Sequence, residues 1–555
     1  MRHAIKIALT TSAMALCMGI GAGGALAQTD PGQVQQQTQE QLRRAEQEKS
    51  LLNAKTAAPQ ITVQGQNIDT SGASDVKNIY VSVFEVDPSS ILSPAEIDAV
   101  LAPYRGHMVS LKDLFAAVAE LNRLYDAKGV KTSRAILPGQ DVKDGVVRIR
   151  LVEARVEAVR VVGAKHIRES FITDRIHVTP GELLSVSQLE ADLVRFNSIY
   201  ETSLGADITA GASLGKTVIG LNVTEPKRQT LTLFFDNAGR DTVGEERGGL
   251  IYRINNLAGR SDALQAVAVA TEGSHSYGLS YALPVAYNDL RLDVSYNTGD
   301  ISVISGPFQP LDISGDSREL SVGLTQPFGI TATRQWSSYV RYSNRNSVSA
   351  FGGVTQDDVT NNVLSIGITR EAHFDKTAWS FDSSFNLGRP DEGTGGFAYY
   401  RANLSRIDRL PGRAQLLTRA ALQYAFRTAL PSSEQFQAGG TYSVRGYGEG
   451  LLAGRDGFAV SAELRFALNA PDDKHNPWAT QALIFIDHGG AVPYRPSNPG
   501  AHKDDFLTSV GAGFTADYDH RVSAKLIFAY PLDVNPAAPH THSVQVMAGL
   551  TVPLF

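Results

Sequence analysis

Residues 457–468 read GFAVSAELRFAL, twelve positions that alternate from one face to the other without a break. Successive side chains of a strand point to opposite faces, so Phe458, Val460, Ala462, Leu464, Phe466 and Leu468 lie together. Ala459, Ser461, Glu463, Arg465 and Ala467 form the other face. DFLTSVGAGFTADYD, residues 505–519, repeats the scheme: Phe506, Val510, Ala512, Phe514 and Tyr518 oppose Ser509, Gly511, Gly513, Thr515 and Asp517. In a soluble sandwich the apolar face packs inward and strands usually run five or six residues. Here the strands run about ten or more, with one thin apolar face and one face of Gly, Ser, Thr and charge. That pattern fits a barrel with lipid outside and water inside.

From about Gln229 to Phe555 no helical period survives. Sixteen period-two segments begin near residues 229, 248, 261, 275, 289, 317, 334, 360, 377, 395, 413, 457, 478, 504, 520 and 542, each bounded by turn residues. An even number returns both ends of the barrel to one side, and the spacing leaves short turns at one rim and longer loops at the other. The expected domain is a transmembrane barrel of sixteen antiparallel strands over 228–555. A large soluble β-domain is the competing reading, which composition does not exclude.

The start of the chain favours the membrane. Residues 1–27 combine Arg2 and Lys6, an apolar run from Ile7 to Ile20, and Ala25-Leu26-Ala27 before Gln28, the signature of a cleaved signal peptide. Cleavage removes the one cysteine, Cys17, so neither a disulfide nor a thiolate metal site is expected. It leaves 49 basic against 57 acidic residues, a balance of −8 that argues against a nucleic-acid partner. Residues 28–58 are rich in Gln, Glu, Lys and Ala with a meagre apolar side of Val34, Leu42, Ala45 and Leu52. A helix that is polar nearly all round cannot fix itself on an ordinary core. The segment is either disordered or a helix in a wet cavity. Residues 59–76 read as a linker.

Between linker and barrel, 77–155 and 156–227 repeat one order of elements, β-α-α-β-β. Ser93 and Pro94 open the first helix, and SLKDLFAAVAELNRLYDAKG (110–129) is the long amphipathic one. Two helices on one face of a three-stranded sheet leave an edge strand free.

One loop stands out. QFQAGGTYSVRGYGEG, residues 435–450, sets Val444, Arg445, Gly446 and Tyr447 among glycines that forbid a helix. In ALIFIDHG (482–489), Ile484 and Ile486 take the apolar face, so Phe485, Asp487 and Gly489 must point to the lumen. Taken with FFDNAGRDTVGEERGG (234–249) and LNRLYDAKGVKTSRAILPGQDVKDGVVRIRLVE (121–153), these motifs make the mature chain resemble a two-partner secretion transporter of the TpsB type. That is the haemolysin-activator and filamentous-haemagglutinin secretor family of the POTRA-barrel superfamily. The resemblance implies that 77–155 and 156–227 are POTRA domains in the periplasm, and that the barrel sits in the bacterial outer membrane. It implies a plug helix in 28–58 and a loop, 427–456, folded into the lumen so that Arg445 meets Asp487. Only an arginine fork grips a carboxylate with two parallel bonds, and Tyr447 is expected to add aromatic packing against Phe485.

The partner implied is a secreted exoprotein of adhesin or cytolysin type, recognised through its N-terminal secretion domain and passed unfolded to the cell surface. Outer-membrane lipid and the barrel-assembly machinery are the other partners. Phe555 supplies the terminal aromatic of such barrels, but Val544, Val546, Leu550, Val552 and Leu554 take the apolar face, so Phe555 falls on the other unless Pro553 shifts the register. The alternative within the superfamily is a barrel-assembly and insertion factor, for which two modules are few and the polar leading helix is foreign. A simple porin does not need 200 residues of periplasmic chain. An outer-membrane hydrolase would need a nucleophile elbow, and none occurs. Without a phosphate-binding loop or a Cys or H-E-x-x-H cluster, no catalytic residue, cofactor or metal site is expected, and His540-Thr541-His542 lacks a third ligand.

Overall fold

The computed structural model describes residues 30–52, 59–63, 75–130, 133–213, 215–391, 395–426, 429–469, 477–492, 505–519, 521–533 and 543–555. The expected leader (1–27), the end of the 28–58 segment, most of the linker and His540-Thr541-His542 lie outside them. The chain divides into two units, residues 57–226 and residues 1–56 with 227–555.

In chain order, helix α1 (Pro31–Leu52) precedes strand β1 (Ile61–Val63). The first module holds β2 (Ile79–Tyr80), β3 (Val83–Val86), α2 (Pro94–Leu101), β4 (Met108–Val109), α3 (Leu111–Ala127), β5 (Arg134–Ile136) and β6 (Val146–Val152). Capping boxes start both helices: the Ser93 and Ser110 hydroxyls accept from the amides of Glu96 and Asp113, whose carboxylates accept in return. Leu114, Ala117, Val118, Leu121 and Tyr125 then fall on one stripe of α3 and are buried against Val147 and Ile149 of the sheet β3-β6-β5. The second module has β7 (Arg155–Val162), α4 (Glu169–Thr173), α5 (Val186–Ile199), β8 (Ser203–Ala210) and β9 (Lys216–Thr224), with Phe171, Leu189, Leu193 and Phe196 in its core.

The repeat extends to single residues. Each module ends on a glutamate that closes the loop after its first main strand. Glu153 accepts from the Ser90 amide (3.0 Å) and the Ser89 hydroxyl, and Glu225 from the amides of Lys165 (2.7 Å), His166 (2.9 Å) and Ile167 (3.2 Å). Burial pushes both carboxyls up, but these donors outweigh it and hold both below the ordinary glutamate value.

The linker needs a correction. It is not all irregular: β1 adds to the second sheet, parallel to β8 in the order β1-β8-β9-β7, with Ile61 opposite Ala206 and the Ala206 amide donating to the Gln60 carbonyl (2.9 Å). One edge of that three-stranded sheet, β8, is therefore taken by the chain itself, and β7 is the edge that stays open. Ile61 packs on the module core, which gives so short a strand its hold.

The other unit is a closed antiparallel barrel of sixteen strands. They are β10 (Gln229–Asp236), β11 (Arg247–Asn255), β12 (Ala263–Ala270), β13 (Ser274–Pro284), β14 (Arg291–Ser302), β15 (Ile313–Thr331), β16 (Arg334–Phe351), β17 (Val354–His373), β18 (Thr377–Pro390), β19 (Phe397–Arg409), β20 (Ala414–Tyr424), β23 (Asp456–Ala467), β24 (Trp478–Val492), β25 (Asp505–Tyr518), β26 (Val522–Pro531) and β27 (Gln545–Pro553). A separate two-stranded sheet, β21 (Phe436–Ala438) with β22 (Leu452–Gly454), lies in the loop between β20 and β23. Closure pairs Thr232–Asp236 of β10 with Gly549–Pro553 of β27. Pro553 ends β27, so both Leu554 and Phe555 lie beyond the strand, and both are exposed. Tyr277, Ile366, Phe385, Ile484, Ile486 and Phe514 are among the large apolar residues exposed on the wall, while Ser321, Ser343, Ser384 and Ser461 are buried. Apolar outside and polar inside is the inverse of a soluble fold, and makes the outer surface a lipid face.

Candidate functional site

The lumen is occupied by α1 and by the loop joining β20 to β23. At 22 residues α1 is about 33 Å long, enough to run through the barrel. The chain enters β10 at what we call the near rim. The N-terminus of α1 lies toward the far rim, where the Gly32 amide donates to Ser347 Oγ (3.2 Å) near the end of β16. At the near rim Leu51 packs among Ala378, Ile407 and Leu417. Between them the helix is held by polar side chains. Gln33 Nε2 donates to the Ser432 carbonyl (2.6 Å), Gln37 Nε2 to Glu449 (2.8 Å) and Gln47 Nε2 to Ser380 (2.7 Å), while Gln41 Oε1 accepts from Arg247. A glutamine-rich surface on which no ordinary core could form has the barrel wall and loop as its partners.

The loop brings Arg445 and Asp487 together. Arg445 Nε donates to Asp487 Oδ2 (2.7 Å), Nη2 to Oδ1 (2.9 Å), and the Arg445 amide to Oδ2 (3.1 Å). The fork is bidentate and almost dry, with Arg445 2% and Asp487 1% exposed. Gly446 makes the approach, with φ +89° in the left-handed region, where any side chain would be strained, and a Cβ there would stand 3.2 Å from that of Ala529. Gly489 serves on the wall side: a Cβ there would stand 2.8 Å from the Phe458 carbonyl and 3.0 Å from Val444, which is wholly buried.

Phe485 and Tyr447 differ from expectation. The ring of Phe485 lies under the Arg445 guanidinium, 3.5 Å from its carbon, a cation–π stack. Tyr447 instead packs with Val444 and Leu507, donates its hydroxyl to the Thr508 carbonyl (2.9 Å) and accepts from the Asp533 amide (3.1 Å). A buried phenol needs a polar partner, and the ends of β25 and β26 offer one where Phe485 cannot.

Two further groups belong to the site. Ser461 and Glu463 on β23 are bonded to Arg445 through Nη2 (3.2 Å) and Nη1 respectively. Their signal was present, since both lie on the polar face of 457–468, opposite Asp487 and Phe485 in the strand register. The second is a reversed pair at the start of the loop, where Glu434 takes Arg345 of β16 and the Tyr399 hydroxyl (2.7 Å), while Arg345 also reaches Glu319 (3.1 Å). Arg345 and Glu319 face each other across β16 and β15, Tyr399 stands on β19, and nothing in the sequence marks Glu434 of the loop as their partner. The first hairpin motif also finds its place: Asp236 grips Arg247 (2.7 Å), and Arg240 bonds Gln37 of α1 and Gln437 of the loop.

A lipid-faced barrel whose polar lumen is filled by its own helix and loop, preceded in the chain by two α/β modules, defines an outer-membrane transporter. Residues 215–516 match the family model described as haemolysin secretion/activation protein ShlB/FhaC/HecB, and 79–154 match the POTRA domain, ShlB-type. The chain belongs to the haemolysin secretion/activation family, an outer-membrane transporter family that works with a secreted partner protein. It is 24% identical over 467 residues to the heme/hemopexin transporter protein HuxB of Haemophilus influenzae (strain 86-028NP), covering 79% of this chain and 81% of HuxB. It is 24% identical over 473 residues to the outer membrane transporter CdiB of Escherichia coli O6:K15:H31, covering 79% and 77%. The solved structure of CdiB from Escherichia coli shares the fold, with a TM-score of 0.65 at 20% identity over 94% of this chain and 98% of that one. The barrel lies in the outer membrane with the modules in the periplasm, so the near rim is periplasmic and the far rim faces the cell surface.

Proposed function

We propose that the protein exports one partner exoprotein, of adhesin or cytolysin type, by threading it unfolded through the lumen once α1 and the Arg445 loop have yielded. The observation that carries this reading is the nature of the lumen contents. Both occupants are held mainly by hydrogen bonds and ion pairs to a polar wall, with apolar contact confined to small patches such as those around Leu51 and Val444, so their departure leaves a wet channel with little apolar lining to trap a moving chain. Arg445, Val444, Gly446 and Tyr447, with Phe485, Asp487 and Gly489, act as the latch of the loop. Residues 1–27 are the leader, and 77–155 and 156–227 the two POTRA modules. These modules hold the partner's N-terminal secretion domain by strand addition, main-chain bonds giving affinity and neighbouring grooves selectivity. The exposed Leu554 and Phe555 at the end of β27 suit recognition by the barrel-assembly machinery. The step needs no ATP in this reading, and folding of the partner outside supplies the direction.

The test is reconstitution. The protein in liposomes, given its unfolded candidate exoprotein with an N-terminal secretion domain and no ATP, should deliver that chain to the far side in a form protected from external protease. A lumen that passes ions but never the partner, with the partner's secretion domain failing to bind the modules, overturns the proposal.

A further inference from the structure

Ion pairs join the helix to the latch by way of the wall. Glu48 on α1 accepts from Arg465 Nη2 (2.5 Å) and from Arg419 Nη1 (3.3 Å). Arg465 Nε donates to Glu463 Oε1 (2.5 Å), Arg419 stands 3.6 Å from Glu463 Oε2, and that same oxygen takes Arg445. Arg445 ends the chain on Asp487. Three guanidinium groups (Arg419, Arg465, Arg445) thus interleave with three carboxylates (Glu48, Glu463, Asp487), and the ladder is formally neutral. Arg445, Arg465, Glu463 and Asp487 are all buried, so solvent screens them weakly. Glu48 is the one member that belongs to the helix.

We propose that Glu48 makes the latch conditional on the plug: it is a positioning residue that acts on Arg445 through Arg419, Arg465 and Glu463. The inference rests on the plug-and-latch reading above. With Glu48 in place, the wall arginines have a carboxylate of their own and Glu463 can serve Arg445. When α1 withdraws it takes that carboxylate with it, and three cations then share two anions. Glu463 is drawn to Arg419 and Arg465, Arg445 is left in a net positive field, and the loop loosens. Direct bonds also tie helix to loop, from Arg44 to the Tyr442 carbonyl (2.5 Å) and from Gln37 to Glu449 (2.8 Å). They join the occupants to each other, whereas the ladder reaches the bond between loop and wall.

Glu48→Gln separates the two routes, because it keeps the helix and its direct bonds and removes only the charge. Val444 is the reporter, since it is wholly buried and packs with Ala459, Ala491 and Leu507. Val444→Cys is introduced into the full chain, whose one other cysteine is Cys17, and its reaction with a small thiosulfonate is timed in liposomes. The coupling requires Glu48→Gln to speed labelling about tenfold. Gln47→Ala, which removes the neighbouring helix–wall bond to Ser380 and no charge, should change it less than twofold. Amide exchange of 441–450, without the added cysteine, should report the same order. Unchanged labelling and exchange in Glu48→Gln, or an equal rise in Gln47→Ala, overturns the coupling. Deleting 28–58 keeps the two ideas apart. If conductance rises on deletion while Glu48→Gln is silent, the coupling alone fails; if deletion leaves conductance unchanged, the plug reading fails with it.

Discussion

Arg445 spends its donors on three partners at once, and its planar face on Phe485. A lysine supplies the charge but neither the parallel pair of bonds nor the stacking plane. Arg445→Ala leaves Asp487 and Glu463 buried without this cation, a local loss of about 3–5 kcal/mol. That is enough to free the loop, and the sixteen strands do not depend on it. Export of the partner into the medium should therefore fall at least tenfold in Arg445→Ala and in Asp487→Ala, and less in Arg445→Lys. The protease-resistant barrel and its β-sheet circular dichroism should be unchanged; normal export by both alanine variants would end the functional reading of the pair. Gly489→Val tests the geometry with every charge kept. Its side chain would have to displace Val444, so export should fall as in Arg445→Ala, and wild-type export would show that close approach of the loop is dispensable. How far this site could be read from the chain follows from the same contacts. The inward phase of Phe485, Asp487 and Gly489 is fixed by Ile484 and Ile486, whatever the partner. Glu463 was visible as a charge on an inward face, but its place beside Arg445 needs the pairing of β23 with β24, and no short turn fixes that register. Glu434 and Arg345 meet across the lumen, where no period in the sequence reaches.

Among the elements, α1 is the one whose sequence and setting explain each other. Glutamine offers donor and acceptor on a long neutral side chain, so each bond to the wall is worth only about 1 kcal/mol net. The sum holds the helix, and in the proposed export cycle water can replace the bonds one at a time. Removing residues 28–58 should raise single-channel conductance in planar bilayers. The modules carry a different device, the glutamate that ends each repeat. Because the folded Glu225 carboxyl is held below its ordinary value of 4.5, the folded state binds fewer protons than the unfolded chain in that range. The stability it contributes is complete above about that pH and is lost as pH falls through the depressed value. Glu225→Gln should cost the second module about 1–3 kcal/mol at pH 7, read as faster amide exchange of residues 163–168. The gap from wild type should narrow as the pH falls below about 4.5; a gap independent of pH would mean that the amides, not the charge, do the holding. The strand pattern was legible because lipid and water enforce opposite faces on every strand. Where they do not, it faded. β17 begins at Val354 rather than near residue 360, because residues 354–358 are exposed on both faces and carry no alternation. β1 was hidden for another reason, since three residues in a polar linker become a strand only by meeting a distant edge.

At the scale of the molecule, the barrel is a wall filled by its own helix and loop, which the proposed function requires to be emptied. Its strands are held to one another by backbone bonds, whereas its contents are held to the wall mostly by polar side chains, whose bonds water can replace. The two occupants also grip each other and the same wall: Arg240 of the first surface loop bonds both Gln37 and Gln437, and Glu449 of the lumen loop bonds Gln37. Such an arrangement predicts that export needs the helix to travel, not merely to loosen. Leu51 sits at the periplasmic rim among Ala378, Ile407 and Leu417, on the path that withdrawal toward the modules must take. Cysteines at 51 and 378, joined by a short bifunctional thiol reagent in whole cells, should stop export while the modules still bind the partner's secretion domain. A cleavable reagent should restore export when cut, and each single cysteine should be inert. If the tethered protein exports at the wild-type rate, the partner passes beside a resident helix, and the lumen must be wider in action than its packing here allows.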